Sequence, residues 1–377
     1  MRNIIKSILL ALLVLLSPNF IHASKLAKMA KKSGEIRIKD VSPHKGLNLN
    51  YNYGEMELVF WDKNEIVLKY DECVRASSQK RADEILQQRI AIKSIEGHYF
   101  RVGKADDSSV SFNSKWTVYV PSHISSVAAS NSFGNITVGK GFSGLIRIDV
   151  QNGDVNIPET KAMCVVEVTH GNFYVGNAAY LNMTTKHANG TISFAQTLKV
   201  QADHADFCKI DKADVMTINS KHSKIKVGNV GQLSSQGSYS TLEVNELSGL
   251  ANIRDMQHST IEMDKFLGKL DATDLSYSKL NITISKFNHT PFIMVTDLDY
   301  TDVKVKLPAS LRTSTYVNGK GSCRSISSGT AKIKSSAPWS SPNGVSTHVF
   351  QNTESFTPNS LIDINNESYG TILIEEY

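Results

Sequence analysis

Histidine and tyrosine recur at a regular spacing in the middle of this 377-residue chain. His170, His222, Tyr239, His258, Tyr277 and Tyr300 each stand immediately before a small residue that opens an apolar stretch, and Phe133, Asn152, Asn189 and Ala205 are read into the same position elsewhere. If these positions stack, their rings form one column about 4.8 Å apart. Such a column can stabilise a corner, offer rings to a ligand such as a sugar, or present imidazoles to a metal. The metal reading is the poorest of the three, because Tyr, Asn and Ala interrupt the histidines and no Cys-x-x-Cys accompanies them.

Asp255, Asp274 and Asp297 form a second candidate column, four residues before successive turns. Carboxylates about 5 Å apart can serve a retaining glycosidase or bind a cation. Asn219 and Gln236 fall in the same column, which suits a solvated polar ladder better. The sequence has no Gly-x-Ser-x-Gly, no Walker loop, no dinucleotide fingerprint after a strand and no His-Glu-x-x-His. We therefore expect no catalytic residue, no resident metal and no cofactor, and the six residues from His170 to Tyr300 named first are the candidate ligand-contact column.

The element that must position these side chains is a repeat. Turns at Gly134, Gly153, Gly171, Gly190, Asp206, Ser223, Ser240, Ser259, Ser278 and Thr301 are each followed by two apolar residues separated by one polar residue, among them Ile136/Val138, Ile192/Phe194, Cys208/Ile210 and Val303/Val305. Successive turns lie 16 to 23 residues apart, too close for a helical repeat and right for one coil of a solenoid. A second alternating strand recurs in most coils, as in Ile146/Ile148, Leu181/Met183 and Met216/Ile218. Two short strands per coil bury apolar side chains and turn Asn, Thr, Lys and Ser to water. The expected fold is all-β: a right-handed or flattened parallel β-helix of about ten short coils.

Four segments follow from this reading. Residues 1–23 carry Arg2 and Lys6, an apolar run from Ile8 to Leu16, and a small-residue cleavage position after Ala23, which reads as a secretory signal peptide. Residues 24–125 are a β-rich region with one helix around Ser78 to Gln88, capping the first coil. Residues 126–307 are the repeats. Residues 308–377, rich in Ser, Gly and Pro, are an irregular cap with a final strand. Loss of Arg2 and Lys6 lowers the formal charge from +5 to +3, too little to argue for nucleic acid as a partner, and nothing after the signal reads as a transmembrane segment. Cys164 and Cys208 read as small core residues; Cys73 and Cys323 are undecided.

The secretory signal, the Trp61-Asp62-Lys63-Asn64-Glu65 strand connection, the Val120-Pro121 step, and the stretches Asn131 to Val138 and Gln151 to Ile157 together resemble a family of exported bacterial putative adhesins, the auto-transporter-adhesin-like proteins of Bacteroidetes type, a domain of unknown function. The likeness is clearest over residues 34 to 230. It implies a β-solenoid with no known active site. Expectation therefore favours an exported, non-enzymatic scaffold or binding protein at the periplasm or cell surface, meeting a glycan or an envelope protein. A polysaccharide lyase or hydrolase on a β-helix, or a periplasmic protein-binding component, are the alternatives.

Overall fold

The computed structural model describes residues 28–41, 46–90, 92–95, 99–102, 111–285, 292–308, 314–320, 325–328, 334–335, 339–340, 345–351, 361–366 and 370–377. Residues 1–23, read above as a signal peptide, Cys323 and Tyr369 lie outside them.

Stacked parallel coils form a β-solenoid of about nine turns. Along its inward strands each coil places its side chains on those of the next, with register shifts at a few bulges. Cys208, Ile225, Leu242, Ile261, Leu280 and Val303 make one inward column, and Ile210, Val227, Val244, Met263, Ile282 and Val305 the next. Leu181, Leu198, Met216 and Leu233 line up on the other strand of the coil. These residues are almost wholly buried. The interior is thus a set of aliphatic stacks that each coil completes only with its neighbours. Cys164 and Cys208 occupy two different columns of this interior, both buried and unpaired, and burial pushes both thiols up to about 12.

Where the repeat departs from its sequence pattern, packing supplies the reason. Gly190 is not a turn residue. It takes an inward strand position between Phe173 and Cys208, and a Cβ there would lie 2.6 Å from the Phe173 ring. The large ring below therefore fills the volume that this coil leaves empty. Phe194, paired with Ile192 in the sequence reading, is only partly buried and has Lys212 Nζ over its ring at 5.7 Å. One coil later, Asp206 and Phe207 supply one residue more than other coils have between corner and strand, so the turn falls earlier, at His204 and Ala205.

Both ends of the rod carry rungs out of chain order. Gly46–Tyr51 and Glu55–Trp61 form a coil beneath Ser126–Asn131 and Ile136–Val138. Tyr99–Val102 and Ser111–Pro121 then pair in parallel with the opposite edges of that coil. At the far end, Leu361–Asn366 and Thr371–Glu376 pair with Phe292–Asp299 and Asp302–Leu307, while Ser314–Lys320 and Ser325–Ser328 pair on their outer side. Terminal edges, which would otherwise offer unpaired backbone to other chains, are covered by these folded-back segments.

The amino-terminal cap adds two long antiparallel strands, Lys28–Lys39 and Glu65–Ala76, the second of which pairs with Ser111–Pro121. The connection Asp62-Lys63-Asn64 is a turn, closed by Trp61 Nε1 donating to the Glu65 carbonyl at 2.9 Å. One helix, α1 (Gln79–Arg89), is capped by Ser78, whose hydroxyl accepts the Arg81 N–H at 3.2 Å. Its apolar face, Ala82, Ile85 and Leu86, packs with Ala30, Val74 and Ala76 in a small core of its own.

A buried polar knot ties this cap to the first coil. Glu72 accepts from Tyr51, Ser114 and Trp116 Nε1 and forms an ion pair with Arg89 Nε at 2.9 Å. Arg89 Nη2 also donates to the Asn52 carbonyl at 2.7 Å and the Tyr53 carbonyl at 3.2 Å. Both charged side chains are fully buried, which is tolerable because each is paired and hydrogen-bonded. Burial pushes the Tyr51 phenol well above its ordinary range.

Candidate functional site

One corner of the rod carries eight stacked rings. His170, His187, His204, His222, Tyr239, His258, Tyr277 and Tyr300 follow one another with ring centroids 4.7 to 5.0 Å apart and planes inclined by 4 to 29°. All eight have left-handed backbone, with φ between 46 and 55°. For a residue with a Cβ this conformation costs about 1–2 kcal/mol, and Gly or Asn would adopt it more easily. A stacked aromatic pair returns about 0.5–1.5 kcal/mol beyond area burial, so the ladder roughly offsets the strain of the corners that build it.

The backbone fixes the rise. The N–H of each ring residue from His170 to Tyr277 donates to the carbonyl just before the ring residue of the next coil, as in His170 to Lys186, His222 to Ser238 and His258 to Ser276, each at 3.0 Å. The left-handed turn then sends the following residue inward, where Ser223, Ser240, Ser259, Ser278 and Thr301 are buried. Each hydroxyl donates to the carbonyl two residues back in its own coil, at 2.7 to 3.0 Å. Each also accepts the N–H of its counterpart one coil earlier, at 3.1 to 3.3 Å. A hydroxyl ladder thus satisfies the buried backbone directly behind the ring ladder.

All six contact residues read from sequence stand in this stack. The column positions given to Asn189 and Ala205 belong instead to His187 and His204. Glycine at 190 drew the turn two residues too late and aspartate at 206 one residue too late; the spacing of 17 from His170 to His187 and again to His204 was the signal that marks the true corner. Tyr53 was also missed, and it stacks on Phe133 at 4.7 Å with planes 7° apart.

The rings are exposed, Tyr239 by 54% and Tyr277 by 53%, yet their faces lie against their neighbours. What reaches solvent is a row of edges bearing phenol hydroxyls and imidazole nitrogens. This arrangement suits hydrogen bonding along the rod and offers no open face for a sugar to stack on, except where the column is interrupted. The centroids of successive imidazoles lie 4.8 to 5.0 Å apart, a spacing wider than twice the Zn–N distance of about 2.0–2.1 Å and poorly matched to an ion shared between stacked rings. Among the described residues no group of three or more His, Cys, Asp or Glu is placed to hold a metal. Beside the column, His204 Nδ1 meets Asp203 Oδ1 at 2.7 Å. On the adjoining face Lys224 and Lys226, hydrogen-bonded to Glu243 at 2.8 and 2.7 Å, hold its carboxyl below the usual carboxylate range.

Asp255, Asp274 and Asp297 form a second left-handed column, with φ of 49, 57 and 53°. In the register Ser235 pairs with Ile253 and Gly237 with Met256, so Gln236 faces two residues, Arg254 and Asp255. The aspartates are the extra residue of a bulge that begins where the coils lengthen. Aspartate tolerates this backbone better than most residues do. Asp297 accepts from Thr273 Oγ1 at 3.0 Å.

No protein-family model matches the chain, and no curated protein matches it. Among solved structures, a putative cell adhesion protein from Clostridium sporogenes is similar at 11% identity over 92% of this chain and 100% of its own, with a TM-score of 0.18. A putative adhesin from Parabacteroides merdae is similar at 13% identity over 93% of this chain and 96% of its own, with a TM-score of 0.26. Among the described residues no helix is long and apolar enough to cross a membrane.

Proposed function

We propose that this protein is an exported, non-enzymatic, adhesin-like scaffold of the cell envelope that meets its partner along the ring edge of the rod. The observation that carries this reading is the exposed eight-ring column, in which seven steps of 4.7 to 5.0 Å carry polar ring edges about 34 Å along one corner. A repeating ligand, a glycan or an extended segment of an envelope protein, is met by hydrogen bonds at matching intervals. The signal-peptide pattern of residues 1–23, Arg2 and Lys6 followed by the apolar run Ile8 to Leu16, supports export.

The test is a triple substitution, Tyr239→Phe, Tyr277→Phe and Tyr300→Phe, which keeps the stack and removes three edge hydroxyls. Sedimentation with the insoluble envelope fraction of the native cell should fall several-fold while the melting temperature stays within a few degrees. Unchanged sedimentation would remove the ring edge from the contact surface. Release of soluble sugar from that fraction would overturn the non-enzymatic reading.

A further inference from the structure

Near the amino-terminal end the ring column lacks one rung. Tyr53 and Phe133 stack on one side, His170 and His187 on the other, at 4.7 and 5.0 Å, both with planes 7° apart. Between them the corner residue is Asn152. The glycines that follow these corners prove the alignment: a Cβ added to Gly134, Gly153 or Gly171 would fall 1.9, 2.2 or 1.9 Å from the carbonyl oxygen of the preceding corner's glycine, Gly54, Gly134 or Gly153. Phe133, Asn152 and His170 therefore occupy consecutive rungs, and two coil spacings set the flanking rings about 10 Å apart. Tyr53 and His170 have left-handed backbone, with φ of 62 and 55°, whereas Phe133 and Asn152 do not; the Phe133 ring is placed by its stacking on Tyr53. Asn152 does not fill the space. Its Nδ2 donates to the Ser132 carbonyl at 3.2 Å, which holds the amide down against the coil below.

We infer that this gap is a binding slot for one planar aromatic side chain of a partner protein, which completes the column between Phe133 and His170. The dimension selects the ring. Everywhere else in the eight-ring stack, a ring lying between two others meets both at 4.7 to 5.0 Å, and an entering ring does the same here. A pyranose, thickened by its axial substituents, fits the same interval less well. The strength selects the carrier. Stacking on two faces improves binding roughly 5- to 150-fold, too little to retain a free small molecule and the usual share of a single anchor in a protein interface. Phe133, 45% exposed, is such an anchor's wall. The slot is separate from the tyrosine edge of the proposed function, and stands or falls without it.

The experiment follows the Phe133 and His170 ring protons by NMR in the full protein. Blocked Ala-Trp-Ala, Ala-Leu-Ala and N-acetylglucosamine are added to about 50 mM, the range in which two stacking faces saturate appreciably. Ala-Trp-Ala should move both sets of resonances upfield, and the other two probes should not. Asn152→Ala should keep the response. Asn152→Tyr, which fills the gap from within, should abolish it, and if that variant folds poorly, Phe133→Leu should weaken the response several-fold instead. Silence with Ala-Trp-Ala, an undiminished response in both Asn152→Tyr and Phe133→Leu, or a shift with the sugar alone would overturn the assignment.

Discussion

Ser259 Oγ accepts the backbone N–H of Ser240 at 3.2 Å, across 19 residues of chain and one coil of the rod. The same hydroxyl donates to the Gln257 carbonyl at 2.7 Å. One small side chain thus satisfies two buried backbone groups in two coils, which is why serine, and not alanine, follows His258.

Ser259→Ala should lower the stability of the rod by about 1–3 kcal/mol, the cost of leaving a buried N–H without its acceptor. Urea unfolding followed by circular dichroism measures it. A change within error would show that water takes over the hydroxyl's role.

Ile225 lies between Cys208 and Leu242 in an inward column and is 1% exposed. Ile225→Asp places an unpaired carboxylate between two coils, and we expect a loss above about 4 kcal/mol or failure to fold. A variant that melts like the parent would displace Ile225 from the interior.

Arg89→Met removes the partner of fully buried Glu72 and the donor to the Asn52 and Tyr53 carbonyls. Stability should fall by about 3–5 kcal/mol. Because Trp116 donates to the same carboxylate, its fluorescence should report local loosening of the cap before the coils melt.

The thiols of Cys164 and Cys208 are held up to about 12 by burial, from an ordinary value of 9.0. Their folded pKa is raised, so from about pH 9 to 12 the unfolded chain loses these protons while the folded chain keeps them. Stability is therefore full below pH 9 and falls as pH rises, by up to about 1.4 kcal/mol per pH unit for each thiol. Comparing the parent with Cys164→Ala/Cys208→Ala between pH 8 and 11 isolates this slope. Both thiols should also resist alkylation until the protein unfolds.

Much of this was legible because a solenoid writes its geometry in one short period. The Ser and Thr after His222, Tyr239, His258, Tyr277 and Tyr300 marked the corners, since the residue that turns inward there must bring its own hydrogen bonds. Ala188 and Ala205 carry no such mark, and the nearby Gly190 and Asp206 imitate a turn, so His187 and His204 were misplaced. Gly190 could be recognised as an inward residue only from the bulk of Phe173 one coil below. The knot of Tyr51, Glu72, Arg89, Ser114 and Trp116 left no trace of any kind, because its members come from separate segments with no period relating them. The final strand was read from its alternation, but backbone pairing alone decides that Ser314–Lys320 and Ser325–Ser328 lie outside Leu361–Asn366 and Thr371–Glu376, and no local propensity encodes it.

The coils differ in length, yet the left-handed backbone of the ring residue recurs in every one of these coils, and the Asp255, Asp274 and Asp297 bulges take up one added residue within the strand that leads into it. A segment running from Tyr239 to His258, or from His258 to Tyr277, is therefore a self-contained unit with matching joints at both ends. Copying or deleting one such unit lengthens or shortens the molecule by a single rise of about 4.8 Å without creating a new junction, so reach can be adjusted by duplication while the end caps stay as they are.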